Sequence, residues 1–154
     1  MNHSFLLQGS RTQLVNQLVY FDEEKMNFLD HYCPGHTRDR LRNEQLLSVY
    51  TSTLEQLLAD FTAERLNAMV LIGSQVRLHY VEDSFTELFT IVFPHQADPN
   101  KNMISFLSPI GHQLLLGRAN ESYPLLVPSG EITVRIEEIK YMNRGDFKEQ
   151  YSYG

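Results

Sequence analysis

The chain has 154 residues, 42% hydrophobic and 11% aromatic, enough apolar material for one packed domain or two small ones and too much for wholesale disorder. Its formal net charge of −6 argues against nucleic acid as the main partner, because phosphate binding needs a basic surface. The single cysteine, Cys33, rules out an intramolecular disulfide, and no run of about 18 apolar residues is present to span a bilayer.

The first ten residues, MNHSFLLQGS, lack a basic stretch and carry only a three-residue apolar run, so neither a signal peptide nor an anchor is expected and the expected location is cytoplasmic. From there Leu14, Leu18, Phe21, Phe28, Leu29 and Tyr32 recur at helical spacing, with a weak patch at Asp22 to Lys25. A second series follows: Leu41, Leu46, Leu47, Tyr50, Leu54, Leu57, Leu58 and Phe61. Cys33-Pro34-Gly35-His36 separates them, and Pro with Gly breaks a helix and permits reversal. Thr37 suits an N-cap, with Arg40 where a capping-box Glu would sit. The Arg38, Arg40, Arg42 cluster reads as a solvated helix face. The expectation is an antiparallel helical hairpin, a coiled-coil arm, over residues 1–66.

Beyond residue 67 the period changes to that of strands. Val76, Leu78 and Tyr80 alternate within 74–80, and Phe85 to Phe93 is rich in aromatic and β-branched residues. Pro94 to Asn102 reads as a polar loop, Ile104 to Leu107 as a third strand, Tyr123 to Val127 as a fourth and Ile132 to Tyr141 as a fifth. Pro128-Ser129-Gly130 fits a type II turn or a close variant. Between the third and fourth strands Ser108 can cap a short helix, Pro109 takes its first position, and Gly117 falls where a left-handed C-cap residue is expected. The fold class expected is α+β: the hairpin arm, then residues 67–154 as an antiparallel sheet domain with one short helix and a loose tail from Met142.

Candidate chemistry is sparse. Asp30, His31, Cys33 and His36 offer zinc-type ligands, but their spacing fits no standard pattern, and packing of the hairpin loop is the better reading. Cys33 as a nucleophile lacks a base marked by a third group. Asp22, Glu23, Glu24 and Asp30 are the acid-rich group of the hairpin. Adjacent residues 22 to 24 cannot all share one helix face.

The segment "ISFLSPIGHQLLLGR … LLVPSGEITVRIEEIKY" resembles the C-terminal domain of the bacterial Gre transcript-cleavage factors. The residues that carry the likeness are Ile104-Ser105, Ser108 to Gly111, Leu115 to Arg118, Pro128 to Gly130 and Ile132 to Tyr141, with Ile72 to Val76 upstream. The resemblance implies a coiled-coil arm followed by an FKBP-like domain. It implies bacterial RNA polymerase as partner, with Ser108, Pro109, Ile110 and Gly111 at the docking surface and the arm in the secondary channel. Isomerase activity on the strength of an FKBP-like fold alone is not supported, since fold does not fix function. In the cleavage factors an Asp-x-x-Glu pair at the arm tip helps hold the polymerase's catalytic magnesium. Here that place is Cys-Pro-Gly-His, which brings the chain nearer to short-armed, non-cleaving relatives such as the regulator of nucleoside diphosphate kinase. The expected function is a polymerase-binding transcription regulator that is not itself an enzyme, has no cofactor of its own and binds neither specific nucleic acid nor membrane. The alternative is a cleavage factor that supplies Asp22, Glu23, Glu24 or Asp30 to the polymerase's magnesium.

Overall fold

The computed structural model describes residues 2–142; the tail expected from Met142 onward lies outside them apart from Met142 itself. The chain forms two compact units, divided between Phe61 and Thr62.

In the first unit α1 spans Asn2–Tyr32 and α2 spans Arg38–Ala59, packed as a hairpin. The first helix begins well before the apolar series and runs without a break through Asp22 to Lys25. Leu14, Phe21, Phe28 and Leu29 of α1 and Leu47, Tyr50, Leu54 and Leu57 of α2 are buried, each contributing about 1.5–3 kcal/mol by leaving water. Phe21 meets Tyr50 edge-on at 6.2 Å and Phe28 at 5.7 Å. The seam also holds polar groups. The Tyr50 hydroxyl donates to Gln17 Oε1 at 2.5 Å, and Asn43 is buried where Leu41 was expected to be; Leu41 is exposed. Helix phase explains the exchange, because 43, 47, 50, 54 and 57 form one stripe and 41 stands off it.

The second unit opens with a one-turn helix α3, Ala63–Leu66, capped by Thr62. Its sheet has β1 Ser74–Tyr80, β2 Phe85–Val92, β3 Met103–Ser105, β4 Ser122–Val127 and β5 Gly130–Tyr141, ordered β3-β2-β1-β5-β4. α4, Pro109–Leu114, lies between β3 and β4 in sequence. All pairings are antiparallel except β2 with β3, which run parallel through Thr90 to Val92 and Met103 to Ser105. The sheet is thus mostly antiparallel, as expected, and the one parallel pair arises because β2 and β3 are joined by a long connection with two 3₁₀ turns, not by a hairpin. A bulge at Arg77/Leu78 in the β1–β5 ladder keeps both Ile136 and Ile139 on the buried face.

Two glycines act otherwise than their sequence context suggests. Gly117 is not left-handed; Leu116 is, at φ 69°. Gly117 is required by space, since a Cβ there would lie 2.8 Å from Ile136 Cδ1 and 2.9 Å from the Leu114 carbonyl oxygen. In the Pro128-Ser129-Gly130 turn the positive φ, 133°, belongs to Gly130 and not to Ser129, so the geometry is not type II.

β4 is an edge strand, and its edge is closed. Pro124 has no N–H to offer, and the Gln113 side chain takes both backbone groups of Leu126, donating to its carbonyl at 3.0 Å and accepting from its N–H at 2.9 Å. Gln113→Ala should cost about 1–2 kcal/mol and raise the tendency to self-associate. Thermal melting and sedimentation would check this, and an unchanged midpoint would contradict it.

Candidate functional site

Two regions hold the residues to which the sequence assigned roles, one in each unit. The first is the loop between α1 and α2. α1 ends as Cys33 N–H donates to the Leu29 carbonyl at 2.7 Å, and Gly35, at φ 83°, turns the chain. Thr37 Oγ1 accepts from the Arg40 N–H at 3.1 Å, the N-cap expected from sequence. The Arg40 side chain does not stay on a solvated face. Its guanidinium donates to the Cys33 carbonyl at 3.2 Å and pairs with Asp30 Oδ1 at 2.9 Å, leaving Arg40 only 12% exposed. Asn43 Nδ2 donates to Cys33 Sγ at 3.2 Å. The loop is therefore tied to both helices through side chains that helical periodicity does not mark.

The four acids of α1 are not brought together. Asp22 and Glu23 border a groove of about 400 Å³ with Leu18, Phe21, Lys25, Met26, Thr51 and Glu55. Glu24 accepts from Asn27 Nδ2 at 2.9 Å, and of the four Asp30 alone stands near the loop, held by Arg40. Among the described residues no three His, Cys, Asp or Glu side chains converge as a metal site, so Asp30, His31, Cys33 and His36 form no zinc cluster.

The second region is the start of α4. Ser108 Oγ accepts from the Gly111 N–H at 3.1 Å and donates to the Ser105 carbonyl at 2.7 Å. A Cβ on Gly111 would collide with that same carbonyl oxygen, so the small residue lets the helix start press against the end of β3. Packing thus accounts for Ser108 and Gly111. It leaves Pro109 exposed and Ile110 half-buried at the surface. After the helix, the turn is closed by a signal that sequence spacing missed. The Tyr123 hydroxyl accepts from the Arg118 N–H and donates to Glu121 Oε1, both at 2.8 Å. Burial raises the Tyr123 phenol above its ordinary range; the Arg118 N–H offsets part of that, and the Glu121 carboxylate adds to the rise.

The sheet unit, with a Ser-Pro helix start set on β3 and a closing strand ending in Tyr141, coincides with a family model described as "Transcription elongation factor, GreA/GreB, C-term", which matches residues 66–141. Those residues are a GreA/GreB C-terminal domain. Transcription elongation factor GreA of Desulfovibrio desulfuricans is 35% identical over 72 residues, 47% of this chain and 44% of that protein. GreA of Listeria monocytogenes is 36% identical over 77 residues, 50% of this chain and 48% of that protein. The chain thus matches these curated relatives over about half of their length. A solved GreA/GreB factor from Nitrosomonas europaea aligns over 66% of this chain and 93% of its own, at 25% identity and a TM-score of 0.45. The Thermus thermophilus Gfh1 structure aligns over 84% of this chain and 93% of its own, at 21% identity and a TM-score of 0.43. No helix among the described residues is long and apolar enough to cross a membrane.

Proposed function

We propose that this protein binds bacterial RNA polymerase through its GreA/GreB-type domain, enters the secondary channel with its helical arm, and modulates transcription with little or no stimulation of transcript cleavage. The domain match supports the partner. The observation that carries the functional distinction is the Asp30–Arg40 ion pair at the loop. Magnesium takes oxygen ligands in near-octahedral array, and activating a water beside it calls for carboxylates that can reach the metal together. The carboxylates flanking this loop already face guanidinium groups: Asp30 that of Arg40, and Asp39, in the first turn of α2, that of Arg42 at 3.3 Å. Asp22, Glu23 and Glu24 lie further back by about 10 Å at helical rise. The arm does not fit the role of magnesium donor, and the reading that follows is occupancy of the channel, by which it competes with a factor that does cleave.

The docking surface proposed is the start of α4, with Pro109 and Ile110 as the contacting side chains and Ser108 and Gly111 fixing their presentation. Pro109→Glu tests it more cleanly than a change at half-buried Ile110. An acid is tolerated in a first helical turn, so the fold should be retained. We expect about tenfold weaker binding to core polymerase, measured by competition against a GreA protein. Failure of the unmodified protein to displace GreA would contradict the proposal.

A further inference from the structure

The β1–β2 hairpin ends in Tyr80-Val81-Glu82-Asp83-Ser84-Phe85. Phe85 is 53% exposed and Val81 46% exposed. The Phe85 ring stacks on Tyr80 at 5.4 Å and 29°, and the Tyr80 hydroxyl donates to Glu87 Oε1 at 2.8 Å. Register places Tyr80, Phe85 and Glu87 on the face of the sheet that carries Val76 and Leu78. They lie at its open end, where Phe85 stays half in water. Glu82 Oε1 accepts from the Thr133 N–H at 3.1 Å, which ties that carboxylate of the turn to β5.

The charge around these rings has one sign. Residues 78–92 contain Glu82, Asp83 and Glu87 and no Lys or Arg. Arg77 on β1 and Arg135 and Lys140 on β5 pair in register with Leu88, His79 and Gln75 and so fall on the opposite face. Among the described residues no Lys or Arg forms an ion pair with the three carboxylates; Arg77 pairs with Glu138 instead. An exposed aromatic ring at a hairpin tip whose charged residues are all carboxylates, none in an ion pair with a Lys or Arg among the described residues, is complementary to a guanidinium. Such a group is planar, stacks on rings and binds carboxylates through a rigid fork, which a lysine ammonium does not match.

We propose that this hairpin tip is a second contact surface for RNA polymerase, receiving an arginine side chain of the polymerase between Phe85 and the carboxylates of Glu82, Asp83 and Glu87. The inference rests on the polymerase reading above but concerns a separate place. β3 runs parallel to the far end of β2, so the start of α4 that follows it lies at the opposite end of the sheet from the hairpin tip. Changes at the two surfaces should therefore combine independently.

The test is the affinity of the full chain for core RNA polymerase at low and high salt, for the unmodified protein, Phe85→Ser, Glu82→Lys with Asp83→Lys, and Pro109→Glu. Phe85→Ser should bind about tenfold more weakly. The double lysine variant should lose at least as much at low salt and show a flattened salt dependence. Thermal melting monitors the fold, and the lysine pair, at exposed turn positions, keeps the test open if Phe85→Ser melts early. Binding by both hairpin variants equal to that of the unmodified protein, with Pro109→Glu weakened, would overturn this inference and leave the polymerase reading standing. Absence of binding by the unmodified protein would overturn both.

Discussion

Gly117→Val should destabilise the sheet domain by about 3 kcal/mol. Gly117 is buried, its N–H donates to the Leu114 carbonyl at 2.8 Å, and its carbonyl accepts from Val70 N–H at 2.8 Å. Both bonds hold the chain where it leaves α4 and pairs with the buried segment Met69 to Ile72. A side chain there must push into Ile136 on one side and into the Leu114 carbonyl on the other. Ile136 could turn away, but the backbone oxygen could not do so without breaking the end of the helix. Urea unfolding followed by near-ultraviolet circular dichroism of the tyrosines reads the effect. An unchanged midpoint would mean that the helix end relaxes freely, and that Gly117 is not required by space.

The second large effect is a gain. Cys33→Asp combined with His36→Glu places two carboxylates at the loop with the Asp-x-x-Glu spacing that the resemblance assigns to cleavage factors. Asn43 Nδ2, which donates to Cys33 Sγ, can donate to the introduced carboxylate in its place. If the arm reaches the polymerase's weakly held magnesium, the double variant should raise cleavage of backtracked transcripts by at least about tenfold over the unmodified protein. A double variant that binds polymerase normally and gains no cleavage would show that the loop stops short of the metal. The proposed insertion would then have to be abandoned in favour of binding outside the channel.

Much of the fold was legible because it rests on local signals. Thr37, Pro34-Gly35, Ser108 and Pro109 each settle a backbone problem within a few residues, and their elements begin and end where those residues say. What escaped depends on partners distant in sequence. Arg40 reads as one of three surface arginines until the loop folds back and offers it Asp30 and the Cys33 carbonyl. Gly117 reads as a cap until Ile136 arrives from another strand. The parallel pairing of β3 cannot be seen in a three-residue strand, whose apolar pattern is the same for either direction. The α4 start was legible as a helix cap. That Gly111 is also demanded by the Ser105 carbonyl needed the packing itself. The acids of α1 were legible as a group by composition, yet helical phase and the Arg40 pairing scatter them.

We propose above that this arm occupies the secondary channel without donating magnesium ligands. The most direct test of that proposal is endonucleolytic transcript cleavage by backtracked RNA polymerase complexes, measured with the unmodified protein at a concentration that saturates binding. The cleavage rate should be no greater than that of polymerase alone, and cleavage stimulated by a GreA protein should fall when this protein is added. Robust cleavage that disappears in Asp30→Ala or Glu24→Ala would contradict it, and would show that the arm delivers its acids to the metal despite the Asp30–Arg40 pair.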